Sequence, residues 1–542
     1  PACSASSARG TKIRVERVVV LTRHGDRTPA KWAGGELIGN QRASASEQEF
    51  WRLSNESLIP SAAVRAAWAV YCPWAESNAP SVTGTLTWLG AATQHSNGVW
   101  LRERYALTEG ALLPVDLHAA DIAARHGLDK VLSFDMGGTT AKICLIKNQT
   151  PKTSRVFEVA RTYRFKKGSG MPISIPVIDM VEIGAGGGSL AHIDSMRQIR
   201  VGPESAGSEP GPACYGRGGD KPAVTDADLV LGKLNPDNFA GGSIQLHADS
   251  SADALVNVLG KTLDMDAQTA AFGLAEVVDE NMANAARVHA VENGEDLSEY
   301  TMIAFGGAAP LHAGRLCEKL GVDRLLVPTG AGVGSAIGFL RAPFSFEANR
   351  SVYMKLSDFK PDVIKSLLTE LQDEATGFVR SCDASSDIIS EFKVYMRYTG
   401  QGWEIPISLS AEQAMSPNAD TFLKLFEADY SALFGRTVDG MDVEITVWSV
   451  NATTPPEQVA QIALASDKGA ATVAGQRALF DPALAAVTDA QVVLRDDMET
   501  GQTVQGPAVV TEDETTIIVP SSRQVTAQPD GTIDMSTKGA QA

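Results

Sequence analysis

At 542 residues the chain has length for about three to four domains of ordinary size, with cores that need no disulfide or metal staple. Its 65 acidic against 47 basic residues give a net charge of −18, which argues against a nucleic-acid or anionic-membrane surface. The six cysteines (Cys3, Cys72, Cys144, Cys214, Cys317 and Cys382) show no Cys-x-x-Cys spacing and no His pair beside them, so they read as reduced thiols of a cytoplasmic protein and not as zinc ligands. No apolar run approaches the ~18 residues that span a bilayer.

In chain order, residues 1–13 are a small, polar lead-in expected to be disordered. Residues 15–21 (VERVVVL) read as a strand that runs into Thr22-Arg23-His24-Gly25-Asp26-Arg27-Thr28-Pro29. Two guanidiniums, Arg23 and Arg27, can clamp a phosphate, and the imidazole of His24 can attack phosphorus to form a phosphohistidine. This octapeptide resembles the signature of the histidine acid phosphatases. Gly84-Thr85-Leu86-Thr87 and the stretch through Gln94-His95 to Arg102-Glu103-Arg104 resemble a second block of the same family. The resemblance covers residues 14–107 and implies His24 as nucleophile, with Arg23 and Arg27 as phosphate ligands. The family's distal His-Asp or His-Ala-Glu motif, its source of the leaving-group proton, does not occur in the chain, so an inactive segment is the expectation.

Residues 112–130 read as a helix closed by Gly127, with His118 and His126 as surface or capping residues. A buried strand (131–135), a Gly137-Gly138 reversal and a return strand (141–146) follow. Within Ser133–Lys142 (SFDMGGTTAK) the tip can aim backbone N–H groups at an anion, and Thr139 and Thr140 add hydroxyls. Asp135, at the strand end, suits Mg²⁺ held through water. The Gly-Gly pair taken alone also fits an ordinary turn. Arg161, Arg164, Lys166 and Lys167 ahead of Gly168-Ser169-Gly170 fit either an anion site or a solvated loop edge.

Residues 176–183 read as another strand, opening into Gly184-Ala185-Gly186-Gly187-Gly188-Ser189, with Glu182, His192 and Asp194 as a candidate carboxylate-imidazole group. The Gly- and Pro-rich residues 202–219 read as a shaped loop holding Cys214, either a reactive thiol or a packed one. Helices are expected over 225–234, capped by Thr225 or Asp226, over 252–259, and over 268–292 with His289 on the core stripe. A strand (300–305), the Gly306-Gly307 turn and a helix (310–320) ending at Gly321 form a standard nucleotide position, because free N–H groups and the helix dipole face the ligand. Residues 323–328 and 330–340 repeat the strand and Gly-rich turn.

With SFDMGGTTAK, VEIGAGGGS, GPACYGRGG, TDADLVLG, DENMANAARVHA and FGGAAPLHA read together, residues ~126–542 resemble the hydantoinase A/oxoprolinase family. The resemblance implies the actin-like, sugar-kinase-like ATPase architecture, in which two α/β halves close on ATP. It further implies ATP-dependent hydrolysis of a cyclic amide of the 5-oxoproline or hydantoin type, as in glutathione metabolism; other relatives serve ketone carboxylases. By position, Asp135 is carried over as the catalytic and Mg²⁺ residue. Asp135 to Thr140, with Gly137, Gly138, Thr139 and Thr140, look like the phosphate loop; Lys142, Gly186 and Gly187 are further cofactor residues, and Gly306 and Gly307 the adenosine-side turn. The implied partners are a small cyclic amide, a hydantoinase B-like subunit or domain, and further copies of the chain. The family's earlier Asp-x-Gly-Gly-Thr hairpin has no counterpart here, so an α/β half-domain of incomplete activity is expected.

The domains expected are thus a lead-in (1–13), a phosphatase-like partial α/β segment (14–110), an ATPase-like domain (111–345), an α/β extension (346–455) and a C-terminal all-β module (456–542). The extension should hold a helix at 357–387, a hairpin at 393–407, a helix at 422–434 and a strand at 443–450. Phosphohistidine-type acid phosphatase activity, or a non-catalytic fused or truncated chain, stand as the alternative functions.

Overall fold

The computed structural model describes residues 114–159, 170–455 and 459–539, together with the short strand pieces Ala5–Ser6, Lys12–Ile13, Lys31–Ala33 and Glu36–Ile38. Arg23, His24, Arg27 and the basic cluster at 161–167 lie outside the described residues, and so does the phosphatase-like reading that rests on the first three. The described chain forms two compact units. Leu112–Arg341 joins Gln458–Ala542 in one, and Ala342–Glu457 makes the other.

In the larger unit the strand Lys130–Met136 is the hub. Successive side chains point to opposite faces, so Leu132, Phe134 and Met136 enter one core and Val131 another. It pairs antiparallel with Ala141–Lys147, which pairs antiparallel with Met180–Ile183. On its other side it pairs in parallel with Thr301–Phe305, itself parallel to Arg324–Val327. Numbered along the chain, these five strands lie in the order third, second, first, fourth, fifth. Both faces are covered. The helix Pro114–Arg125 supplies Ala119, Ile122 and Ala123 to one, and the long helix Ala267–Glu292 supplies Ala271, Leu274, Val278 and Met282 to the other. That helix starts where expected because the Asp266 carboxylate accepts from Thr269 N–H at 2.7 Å.

The C-terminal strands, expected as a module of their own, extend this sheet. Ile533–Thr537 pairs antiparallel with Arg324–Val327, and Arg523–Ala527 and Gln502–Gln505 follow it outward. Val504, Val525, Ile533 and Met535 belong to the same core as Leu132 and Phe134. A second, four-stranded sheet (Gly475–Asp481, Ala486–Leu494, Ala508–Thr511, Thr516–Val519) completes the unit.

Three local expectations are corrected. His118 is buried against Phe305, at 5.4 Å between ring centroids, and burial with Arg341 and Arg125 nearby pushes its imidazole down to about 4, so it is a neutral core group. His126 is buried too, 3.1 Å from Asp530. The helix laid flat on the sheet carries both inward. The helix expected from Thr225 is Val224–Val230 with Ala223 as N-cap, because Asp226 is drawn inside, accepting from the N–H groups of Cys214 and Ala223 and from Ser251 Oγ. Residues 330–340, expected as a Gly-rich turn, are largely helical (Ala331–Val333, then Gly334–Arg341).

The smaller unit is an antiparallel sheet of Ser345–Arg350, Val443–Thr453, Ile389–Tyr398 and Ile405–Leu409, edged by Met354–Lys355. Helices Pro361–Cys382 and Ala419–Phe434 give it a core around Trp448, Tyr398, Phe422 and Phe426. Among the described residues no helix is long and apolar enough to cross a membrane.

Candidate functional site

The tip Met136–Ala141 closes tightly, with Gly137 N–H donating to Thr140 O at 3.2 Å, and neither Gly137 nor Gly138 takes a positive φ. Two remote glycine turns hold it. From 184–189, Gly187 N–H donates to Gly137 O (3.0 Å) and Gly188 N–H to Gly138 O (2.7 Å). Contact is so close that a Cβ on Gly186 would stand 2.5 Å from Thr139 N and 2.6 Å from Gly138 C. From the other side Ala308 N–H donates to Met136 O at 3.1 Å, and Gly306, at φ +90, leaves no room for a side chain. Each turn is itself pinned: Thr225 gives both its N–H and its Oγ1 to Gly187 O, each at 2.8 Å, and Thr515 Oγ1 donates to Gly307 O at 2.9 Å.

The cluster is packed on one side and open on the other. Among the described residues, a Cβ built on Gly137 or Gly138 would meet nothing within 4 Å, and Gly138 is exposed. A gripped backbone turn with a free outer edge has the shape of an anion cradle. Gly137, Gly138, Thr139, Gly186, Gly187, Gly306 and Gly307 are therefore brought together.

Charge gathers on one face beside the tip. Asp135 lies directly opposite Lys142, and Lys142 directly opposite Glu182, so the three share a sheet face across three strands. The sequence reading missed a fourth member, Asp116 in the first turn of Pro114–Arg125. Burial pushes its carboxyl up to about 7; a hydrogen bond from Ser133 and the charge of Lys142 oppose that rise, and Asp135 adds to it. Its only sequence signal, an acid in a first helical turn, reads as a dipole partner for the helix. Thr225 and Thr515 were legible only as a cap and a strand residue.

Other candidates separate. Asp194 accepts from the N–H groups of Met196 and Gln198 and from Arg200 Nε (2.8 Å), a local turn, while His192 is exposed and Glu182 belongs to the Lys142 row. Cys214 is buried, and burial beside Asp226 drives its thiol far up, so it packs and does not react. His289 is buried on the long helix as expected. Among the described residues no group of three or more His, Cys, Asp or Glu could hold a metal. A hard cation held mostly through water needs fewer protein ligands, and Asp135 at the cradle's edge fits that mode.

The fold and loop cluster define an α/β protein whose central strand ends in a glycine-built cradle. Residues 117–348 match the hydantoinase/oxoprolinase domain and residues 359–530 its C-terminal domain, and the chain belongs to the hydantoinase/oxoprolinase family. It is similar to the caprolactamase subunit alpha of Pseudomonas jessenii, with 32% identity over 77% of this chain and 59% of that one. The similarity to the 5-oxoprolinase of Saccharomyces cerevisiae is 27% over 72% of this chain and 31% of that one. The chain thus spans less than two thirds of the length of these relatives, 59% of one and 31% of the other. Among solved structures, that of the ATP-dependent caprolactamase from Pseudomonas jessenii aligns at TM-score 0.63 and 29% identity, over 78% of this chain and 61% of that one. A nucleotide-free acetone carboxylase aligns at TM-score 0.66 and 22% identity, over 83% and 68%, a likeness of fold.

Proposed function

We propose that this chain provides the ATP-binding half-site of an ATP-dependent cyclic-amide hydrolase. The observation that carries the reading is the seating of the Gly137-Gly138 turn by two glycine turns that leave its outer edge open. The strand order of the five-stranded core supports an actin-like half-domain. The caprolactamase and 5-oxoprolinase relatives point to cyclic amides of the lactam kind, to which 5-oxoproline itself belongs.

In this reading the N–H groups and hydroxyls of residues 138–140 receive phosphate oxygens, with Lys142 as a countercharge. Asp135 would hold Mg²⁺ through water, and Gly306-Gly307 would lie on the adenosine side. ATP bound there supplies the phosphoryl group that activates the amide oxygen before water opens the ring. The chain positions that group and clamps its charge, which is most of what phosphoryl transfer asks of a protein. Turnover then requires the partner half and a hydantoinase B-like subunit, in keeping with relatives that are themselves subunits. Calorimetric titration with Mg-ATP tests the reading. Saturable binding that Asp135→Asn weakens is the expected result, and absence of any heat with the folded chain would sink it.

A further inference from the structure

The two turns that grip the hairpin tip are also tied to each other, well behind it. Thr225, which holds Gly187, opens the helix Val224–Val230; one turn later Asp228, itself buried, lies 3.1 Å through Oδ2 from His312 Nε2. His312 is fully buried in the helix Ala309–Leu320, which begins immediately after Ala308, the residue that holds Met136. Its other nitrogen, Nδ1, is 2.7 Å from Asp279 Oδ1 on the long helix, and Lys233 Nζ donates to Asp228 Oδ1 at 2.8 Å. With a carboxylate on each ring nitrogen, both nitrogens donate. The contacts close a ring around the site: Gly137 to Gly187, Gly187 to Thr225, Asp228 to His312, and Ala308 back to Met136, the neighbour of Gly137 in the chain.

The neighbouring cavity, lined by Lys233, Glu276, Asp279 and Arg315, has a volume of about 30 Å³. It has room for a few waters at most, so the network is no ligand site of its own. Four charged side chains sealed in a core are a costly way to add stability, since apolar residues of the same volume often serve as well. What they add is a fixed geometry between two helices that each carry one jaw of the cradle.

We propose that His312 is a positioning residue for the nucleotide cradle: by bridging Asp228 and Asp279 it sets the spacing between the Gly187 jaw and the Ala308 jaw, and so seats the Gly137-Gly138 turn. In its effect on affinity this rests on the ATP reading above; in its effect on the turn it does not.

The test is amide hydrogen exchange read by mass spectrometry on the full chain, paired with Mg-ATP calorimetry. His312→Leu keeps volume and removes both donors, and His312→Gln restores one. In His312→Leu, exchange at 136–140 and 186–189 should rise about tenfold and Mg-ATP affinity should fall by about the same factor, the size expected for lost charge-assisted bonds. The sheet of the Ala342–Glu457 unit should exchange as in wild type, and His312→Gln should recover part of the protection. A folded His312→Leu chain with wild-type exchange in both turns overturns the proposal. Should His312→Leu fail to fold, Asp279→Asn, which keeps the acceptor and loses the charge, is read in the same way. There a rise of about threefold supports the proposal and unchanged exchange overturns it. If the wild type binds no Mg-ATP, the nucleotide reading fails, and the exchange comparison, which uses no nucleotide, still decides the role of His312.

Discussion

Gly306 leans on Met136 so closely that a Cβ on the glycine would stand 2.3 Å from the Met136 carbonyl oxygen and 2.6 Å from Asp135 Oδ1. Gly306→Ala must therefore push the hairpin away or twist a backbone already at φ +90. Overpacking of this kind costs about 1–3 kcal/mol. Differential scanning fluorimetry should show a melting point lowered by several degrees, and Mg-ATP affinity should fall with it. Gly137→Ala is the contrast, since its Cβ meets nothing. It should leave the melting point unchanged and weaken only nucleotide binding. Equal melting-point losses for both would contradict the one-sided cradle.

Asp135→Asn leaves the hairpin pairing intact and removes one negative neighbour of Asp116. The expected outcome is a fold of wild-type melting point in which ATP binding no longer responds to Mg²⁺. Titrations with and without the cation would check it, and a preserved Mg²⁺ response would place the metal elsewhere.

Two buried groups give stability a common slope against pH. Burial opposes a charged His312, but the Asp228 and Asp279 carboxylates outweigh it and push the imidazole up to about 9. A folded value above the unfolded one means that its contribution is complete below about 6.5 and is lost as pH rises through 9. Asp116, raised to about 7 by burial, has the same sign, and the folded state is penalised as pH climbs from about 4 through 7. The melting point should accordingly decline between pH 6 and about pH 9.5. Asp116→Asn should flatten the lower part of that decline and His312→Gln the upper part. A melting point that rises across this window would contradict both assignments.

Arg324 meets Asp534 through two nitrogens, at 2.8 and 3.1 Å, across the pairing of Arg324–Val327 with Ile533–Thr537. Both side chains are partly buried and the geometry is bidentate, so Asp534→Ala should cost about 1 kcal/mol. Urea melts read at the larger unit would measure the loss, and no change in midpoint would show that the strand pairing holds without the ion pair.

Local structure was largely legible because it depends on near neighbours. The apolar runs at 131–135 and 141–146 and the Gly137-Gly138 pair between them announced a hairpin, and Pro310 with Gly321 framed a helix found at Ala309–Leu320. The glycine turns were read as separate backbone-exposing loops; that Gly186 presses on Thr139 and Gly306 on Met136 is a consequence of packing that no spacing encodes. Asp116 was not singled out at all, because only the helix laid on the Asp135 face of the sheet brings it to Ser133 and Asp135. Likewise the strands after residue 500 carried a clear β signal, but nothing in their alternation named Arg324–Val327 as the partner of Ile533–Thr537.

That last pairing gives the chain a particular order of assembly. The edge of the central sheet at Arg324–Val327 is closed by residues some two hundred positions later, with the whole Ala342–Glu457 unit emerging in between. During synthesis at about 5–20 residues per second, the nascent larger unit waits on the order of ten seconds or more with that edge unpaired. Contacts of such long sequence separation form late and leave strand edges open to other chains. Of the two described units, the interrupted one is consequently left longer with an unpaired strand edge, while the inserted Ala342–Glu457 unit, whose strands pair only with one another, has all its strand partners once residue 457 has emerged.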